Sequence, residues 1–175
     1  MNTPSSHTTA HRVAFTGMLF ALAIVLSVTE SMIAPLFGLP PGIKPGLSNI
    51  VVMYALFFLG TEQSLLLVFL KGFFVFLTRG VAGAALSLTG GLVSLGVMLV
   101  LLLLTRQRAS YLMLSVAGAV SHNMGQLLMA SLLLATPLSL AYAPILIVAG
   151  IAMGTLTSLS LRAVLPALGK IEKTF

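Results

Sequence analysis

Of 175 residues, 58% are hydrophobic and 7% charged, with a mean hydropathy of +1.13, where a soluble domain carries about 25% charged residues; the chain reads as an integral membrane protein with no soluble domain. It has no Cys, which excludes disulfides, thiolate catalysis and cysteine metal sites, and its only acids are Glu30, Glu62 and Glu172, too few and too scattered to hold magnesium for phosphoryl transfer. The +6 charge lies mostly at the ends of apolar spans, where basic residues set orientation, and is not a nucleic-acid footprint.

Residues 1–12 open with MNTPSSHTTA, small and polar with nothing to bury, and are expected to form a disordered tail. A membrane domain over 13–168 and a short tail over 169–175 complete the expected organisation. The first span, 13 to 35, is longer than a signal-peptide apolar region and lacks a small-residue cleavage site. It carries a small-xxx-small pair, Gly17 and Ala21, near its start and Glu30 near its far end. Residues 36–48 hold three of the eight prolines, and Pro-Pro-Gly followed by Lys-Pro-Gly cannot continue a helix. The second span, Leu47 to Leu59, would rise only about 20 Å. It is too short for a hydrocarbon core of about 30 Å, which suggests backbone dipping into the membrane beside a cavity.

The third span, Gln63 to Leu77, has Lys71 near its centre and ends at Thr78–Arg79. The fourth, 84 to 104, contains Gly90–Gly91, for which close helix packing is favoured over approach to a ligand. The fifth, 115 to 135, is unusual. His122, Asn123 and Gln126 fall within an arc of about 100°, and Ala117, Ser121 and Gly125 form a small-residue seam on another arc. One polar residue alone would be an interhelical clamp. Three on one arc point to a ligand cavity, because polar groups at membrane depth face a partner or a cavity. The sixth span runs from 140 to 165. Six spans put both termini on one side, and Arg12, Arg106, Arg108, Arg162, Lys170 and Lys173 make that side cytoplasmic.

Lys44, Asn49 and Arg79 then lie at or just below the outer surface, with Lys71 and the His122/Asn123/Gln126 arc deeper. Lys71 is about 13 Å from either edge, farther than its stem of about 6 Å can snorkel. Its charge needs a counter-ion or water. Glu30 is one candidate partner; an anionic ligand, which would balance Lys44, Lys71 and Arg79, is the other. The start of the second helix adds backbone N–H groups suited to an anion. No second intramembrane His, Asp or Cys joins His122, so no metal or other cofactor is expected. No catalytic residues are assigned, and there is no GxxxxGK[ST] phosphate loop.

Three stretches, KPGLSNIVVMYALFFLG (44–60), LSLTGGLVSLGVM (86–98) and GAVSHNMGQLL (118–128), resemble the Gx transporter family. That family is also labelled heptaprenyl diphosphate synthase component I and is similar to the substrate-binding S components of energy-coupling factor transporters. The resemblance covers nearly all of the chain after residue 12. Pro45 stands where leucine is expected in a KLGLAN-like motif, and Ser48 where alanine is expected. The resemblance implies an all-α, six-helix S-component-like bundle in a bacterial cytoplasmic membrane. It also implies a loop, here 36 to 46, capping a pocket open to the outside. Small residues on the first helix, here Gly17 and Ala21, would meet a membrane coupling subunit driven by ATPases. Two further functions stay open. One is a membrane partner of a polyprenyl diphosphate synthase, which in a chain without Asp would be non-catalytic. The other is a purely structural subunit. The leading expectation is a subunit taking up a small anionic or vitamin- or prenyl-like solute through Lys44, Asn49, Lys71, Arg79, His122, Asn123 and Gln126.

Overall fold

A computed structural model describes residues 6–37, 46–106, 108–136 and 141–172, with the backbone alone for 6–11, 34, 37 and 163–172. The described chain is helical: α1 (Ser6–Ile33), a 3-10 turn (Ala34–Phe37), α2 (Asn49–Phe58), α3 (Thr61–Leu104), α4 (Tyr111–Leu134) and α5 (Ala143–Glu172). α1 begins inside the stretch expected to be a tail, and α5 runs into the expected C-terminal one. Lys44 and the greater part of the Gly/Pro loop lie outside the described residues.

The chain is a membrane protein by the length and hydropathy of its helices. Arg12–Ile33, Thr61–Leu104 and Ala143–Arg162 are long and apolar enough to cross a bilayer. α4 has the length, 24 residues, but His122, Asn123 and Gln126 lower its hydropathy. α2 has 10 residues and rises about 15 Å, half the hydrocarbon thickness.

α3 is two helices in one. At Gly80 the backbone takes φ 74° and ψ −169°, a conformation open to glycine and costly for other residues. The chain reverses there. A Cβ built on Gly91 would lie 2.8 Å from Val68 Cγ1, one on Gly83 2.7 Å from Arg79 Cβ, and one on Gly72 would overlap Leu88. The pairs 68/91, 72/88 and 79/83 straddle Gly80 symmetrically, as the arms of an antiparallel hairpin must. The arms, 61–79 and 81–104, are about 28 and 36 Å long, and the predicted third and fourth spans fall one on each.

α4 packs between the second arm and α5 at backbone distance. A Cβ on Gly154 would come within 2.5 Å of Val116 Cα, and one on Gly125 within 3.1 Å of Gly90 Cα. Gly125 is therefore the working member of the predicted seam; Ala117 and Ser121 are only partly buried. Apolar cores flank this contact. Val52, Met53 and Leu56 of α2 join Val68, Leu95, Met98, Leu114 and Leu161. Leu86, Leu127, Ala130 and Leu146 form a second cluster. α1 is held more lightly, through Leu19 and Ala23 against Val51, Ala55 and Leu67 and a hydrogen bond from Thr16 to Gln63 Oε1 (3.0 Å).

Candidate functional site

The polar groups of the bundle separate into two systems. The first is neutral and joins helix to helix. Asn49 Nδ2 donates to Ser94 Oγ (2.8 Å), and Ser94 donates to the carbonyl of Gly118 (2.8 Å). That chain links α2, the second arm of α3, and α4. Asn123, 0% exposed, donates to the carbonyl of Leu146 (2.8 Å), and Ser115 to that of Gly154 (2.5 Å), locking α4 to α5. Asn49 and Asn123 thus serve as interhelical clamps. The predicted arc divides accordingly, with Asn123 facing α5 and His122 and Gln126 facing α3.

The second system is charged. Glu30, near the end of α1, is 0% exposed. Its carboxylate accepts hydrogen bonds from the backbone N–H groups of Gly46 and Leu47 and from that of Ser48 (3.2 Å). These groups lead into α2, where orphan amides and the helix dipole favour a negative charge. The backbone N–H groups expected to suit an anion at the start of the second helix are taken by the protein's own Glu30. Gly46, at φ 99°, lets the chain turn there, with the position of a Cβ only 3.5 Å from His122 Cδ2 and 3.6 Å from Asn123 Oδ1.

Lys71 is 2% exposed and donates to Ser48 Oγ (3.4 Å). Ser48 thus stands between the two side chains, its N–H toward Glu30 and its hydroxyl toward Lys71. His122 and Gln126, one turn apart on α4, meet at 2.6 Å between Nε2 atoms. Gly90 makes room for them, since a Cβ there would lie within 3.0 Å of both. The close-packing reading of Gly90–Gly91 therefore fits both residues: Gly91 admits Val68 and Gly90 admits the polar pair.

Two cavities open from this cluster. A narrow one, about 20 Å³, is lined by Lys71, Arg79, His122 and Gln126 together with Ser27, Ser48 and Ser87. It is large enough for a water molecule and too small for a phosphate. A wider one, about 220 Å³, lies between α1 and the first arm of α3. Ser27, Val75 and Arg79 line both cavities. Arg79 is exposed, with its stem laid over Gly83. Four of the seven predicted site residues thus gather around one cavity, Asn49 and Asn123 work elsewhere, and Lys44 is outside the described residues. Sequence reasoning missed Ser27, Ser48 and Ser87. Ser48 carried a signal, a serine just ahead of an apolar helical run; Ser27 lies one turn before Glu30. Gly17 and Ala21 are on the exposed face of α1, and a Cβ on Gly17 would meet nothing within 4 Å. Among the described residues no group of three or more His, Cys, Asp or Glu could hold a metal ion.

The family model of heptaprenyl diphosphate synthase component I matches residues 19–164, from the middle of α1 into α5. The chain belongs to that family. No curated protein and no solved structure matches it.

Proposed function

We propose that this member of the heptaprenyl diphosphate synthase component I family is a non-catalytic membrane subunit that binds a small anionic solute for uptake. The supporting observation is the state of its buried charges. Glu30 is committed to three backbone N–H groups, which leaves Lys71 with a single hydroxyl acceptor, and Arg79 brings a second cation to the same cavity. A buried ammonium so poorly matched favours an incoming anion. The narrow cavity admits only water, so the anion sits at the junction with the wider one, against Arg79, with Lys71 acting through that water. Lys44, His122 and Gln126 complete the binding set, with Asn49 and Asn123 holding its frame.

In this reading the two arms of α3 are separate crossings, α2 is a short dipping helix, and the six segments form an S-component-like bundle. Gly17 and Ala21, open on α1, are the contact for an energising membrane subunit and its ATPases. The cytoplasmic placement of the termini is tested with Ser5→Cys and Thr174→Cys, which should both resist a membrane-impermeant thiol reagent in intact cells; labelling of both inverts the topology. The family's description favours a second use of the same site. A component I implies a partner component, and a chain without Asp fits the non-catalytic half of a polyprenyl diphosphate synthase, receiving or presenting an anionic lipid. Co-purification decides between the two, by recovering either ATPases with a coupling subunit or a soluble synthase component.

The binding claim is tested by Lys71→Met, which keeps the apolar stem and removes the charge. Small molecules retained through gentle detergent purification are identified by mass spectrometry, and their affinity for wild type and variant is compared. Affinity should fall by about 2–5 kcal/mol, the cost of truncating one partner of a buried charge pair, while the empty protein keeps or gains stability. If Lys71→Met instead destabilises the empty protein, binding is unchanged and Glu30→Gln restores stability, the lysine is only Glu30's counter-ion.

A further inference from the structure

The imidazole of His122 is held at the cavity wall by two glycines. A Cβ on Gly90 would lie 2.9 Å from its Cε1 and 3.0 Å from its Nδ1, and one on Gly46 3.5 Å from its Cδ2. An apolar side chain would fill such a contact without bringing a polar ring to membrane depth. Few charged groups face the ring. From α1 comes Glu30, bonded to the amide of Gly46, against which the ring packs. From the first arm of α3 come Lys71 and Arg79, which line the narrow cavity with it. α2, the second arm of α3 and the rest of α4 carry no charged side chain. Their tyrosines, Tyr54 and Tyr111, are engaged with Phe15, Phe58 and Phe57. On α5 the first charge is Arg162, sixteen residues beyond Leu146 and about 24 Å along the helix, and Tyr142 just before that helix is exposed.

We infer that the site takes up a compact dianion together with one proton, and that His122 holds the proton. The inference rests on the anion-binding reading of Lys71 and Arg79 and adds a charge class and a co-ligand to it. Charge balance among the described residues carries it. Two cations against the single acid Glu30 leave one positive charge around the cavity. A monoanion cancels that charge. A dianion overshoots it by one, and a proton on the imidazole restores neutrality, the least costly state for a site away from water. The ring's partner suits both forms. Gln126 meets Nε2 at 2.6 Å, and an amide offers N–H to a neutral ring nitrogen or, turned over, its oxygen to a protonated one. The proton comes from bulk water by way of the wider cavity and the narrow one, which is large enough for a water molecule and shares Arg79 with its neighbour.

Sulfate and methanesulfonate are the probes, a dianion and a monoanion of similar shape that do not titrate between about pH 5 and 8, where histidine does. Calorimetry on the full-length protein, in buffers of different ionisation enthalpy, counts the protons taken up on binding. Sulfate should bind with uptake of about one proton, and its affinity should fall about tenfold for each unit of rising pH. Methanesulfonate should bind with no uptake and no such slope. His122→Gln should abolish the uptake and flatten the sulfate profile. A direct view needs no change at the site: with His7→Gln and His11→Gln, His122 is the only histidine left. The nitrogen NMR signals of its ring should turn to the doubly protonated form with sulfate and stay unchanged with methanesulfonate. That measurement carries the test alone if His122→Gln does not fold. Sulfate binding that depends on Lys71, with no uptake and an unchanged ring, overturns the inference and leaves the anion reading standing. Uptake that survives His122→Gln moves the proton to another group and overturns its assignment. Equal uptake with methanesulfonate overturns the charge class. If neither anion binds, or binding is indifferent to Lys71→Met, the anion reading falls and the inference with it.

Discussion

On one side of the bundle, between α4 and α5, the buried polar side chains named above are neutral and work at short range, as Asn123 does on the carbonyl of Leu146 and Ser115 on that of Gly154. Backbones there approach so closely at Gly154 that no side chain fits between them. On the other side, where α1 and α2 meet the first arm of α3, the buried polar groups include ions, and cavities replace close packing. Neutral clamps suit a frame because each contributes little and carries no charge to be balanced. Buried ions suit a site, since their unspent attraction is available to something that comes and goes.

Three substitutions test that contrast, in order of expected effect. Glu30→Ala should be the most damaging, because it strands three backbone N–H groups, each costing about 1–3 kcal/mol when buried without an acceptor. Thermal unfolding in mild detergent should show a loss of at least about 3 kcal/mol, with Glu30→Gln losing less because one oxygen remains. If Glu30→Ala is neutral, the carboxylate does not hold the entry to α2 and the contrast fails on its charged side. Gly154→Val should follow, at about 2–3 kcal/mol, since the new side chain meets Val116 backbone, which cannot rotate away. Asn123→Leu should cost least, about 0.6 kcal/mol, the mean worth of a hydrogen bond between membrane helices, and should leave ligand affinity unchanged. A large affinity loss in Asn123→Leu would move that residue from the frame to the site.

Much of this division could be read from the sequence, for reasons that particular residues make plain. Lys71 announced itself because a lysine that deep has few explanations, and His122 and Gln126 because helical periodicity put them on one arc. The same periodicity could not separate Asn123 from them. An arc of about 100° spans the junction between two neighbours, and only the positions of α3 and α5 decide which side of it faces which. Glu30's role was illegible in a different way. Its partners are main-chain amides 16 to 18 residues away, and amides leave no mark in a side-chain pattern. The hairpin was half-legible: the polar Thr78–Arg79 marked an end, but only the φ of Gly80 reveals a reversal within one residue. For the same reason the sequence placed the helices well and the cavities poorly.

That one-residue reversal constrains how the chain enters a membrane during synthesis. The first arm of α3 carries eleven Leu, Val and Phe residues, each favouring insertion by about 0.3–0.6 kcal/mol at the bilayer centre, while Lys71 and Arg79 each oppose it by up to about 2.5–3.5 kcal/mol. The two sums nearly cancel, so the arm emerging alone from the ribosome has little drive to leave the translocation channel. The second arm, from Val81 to Leu104, contains no charged residue and supplies the missing drive. With no loop at Gly80 for the channel to handle separately, the proposed reading of the arms as two crossings requires them to partition as one zipped unit.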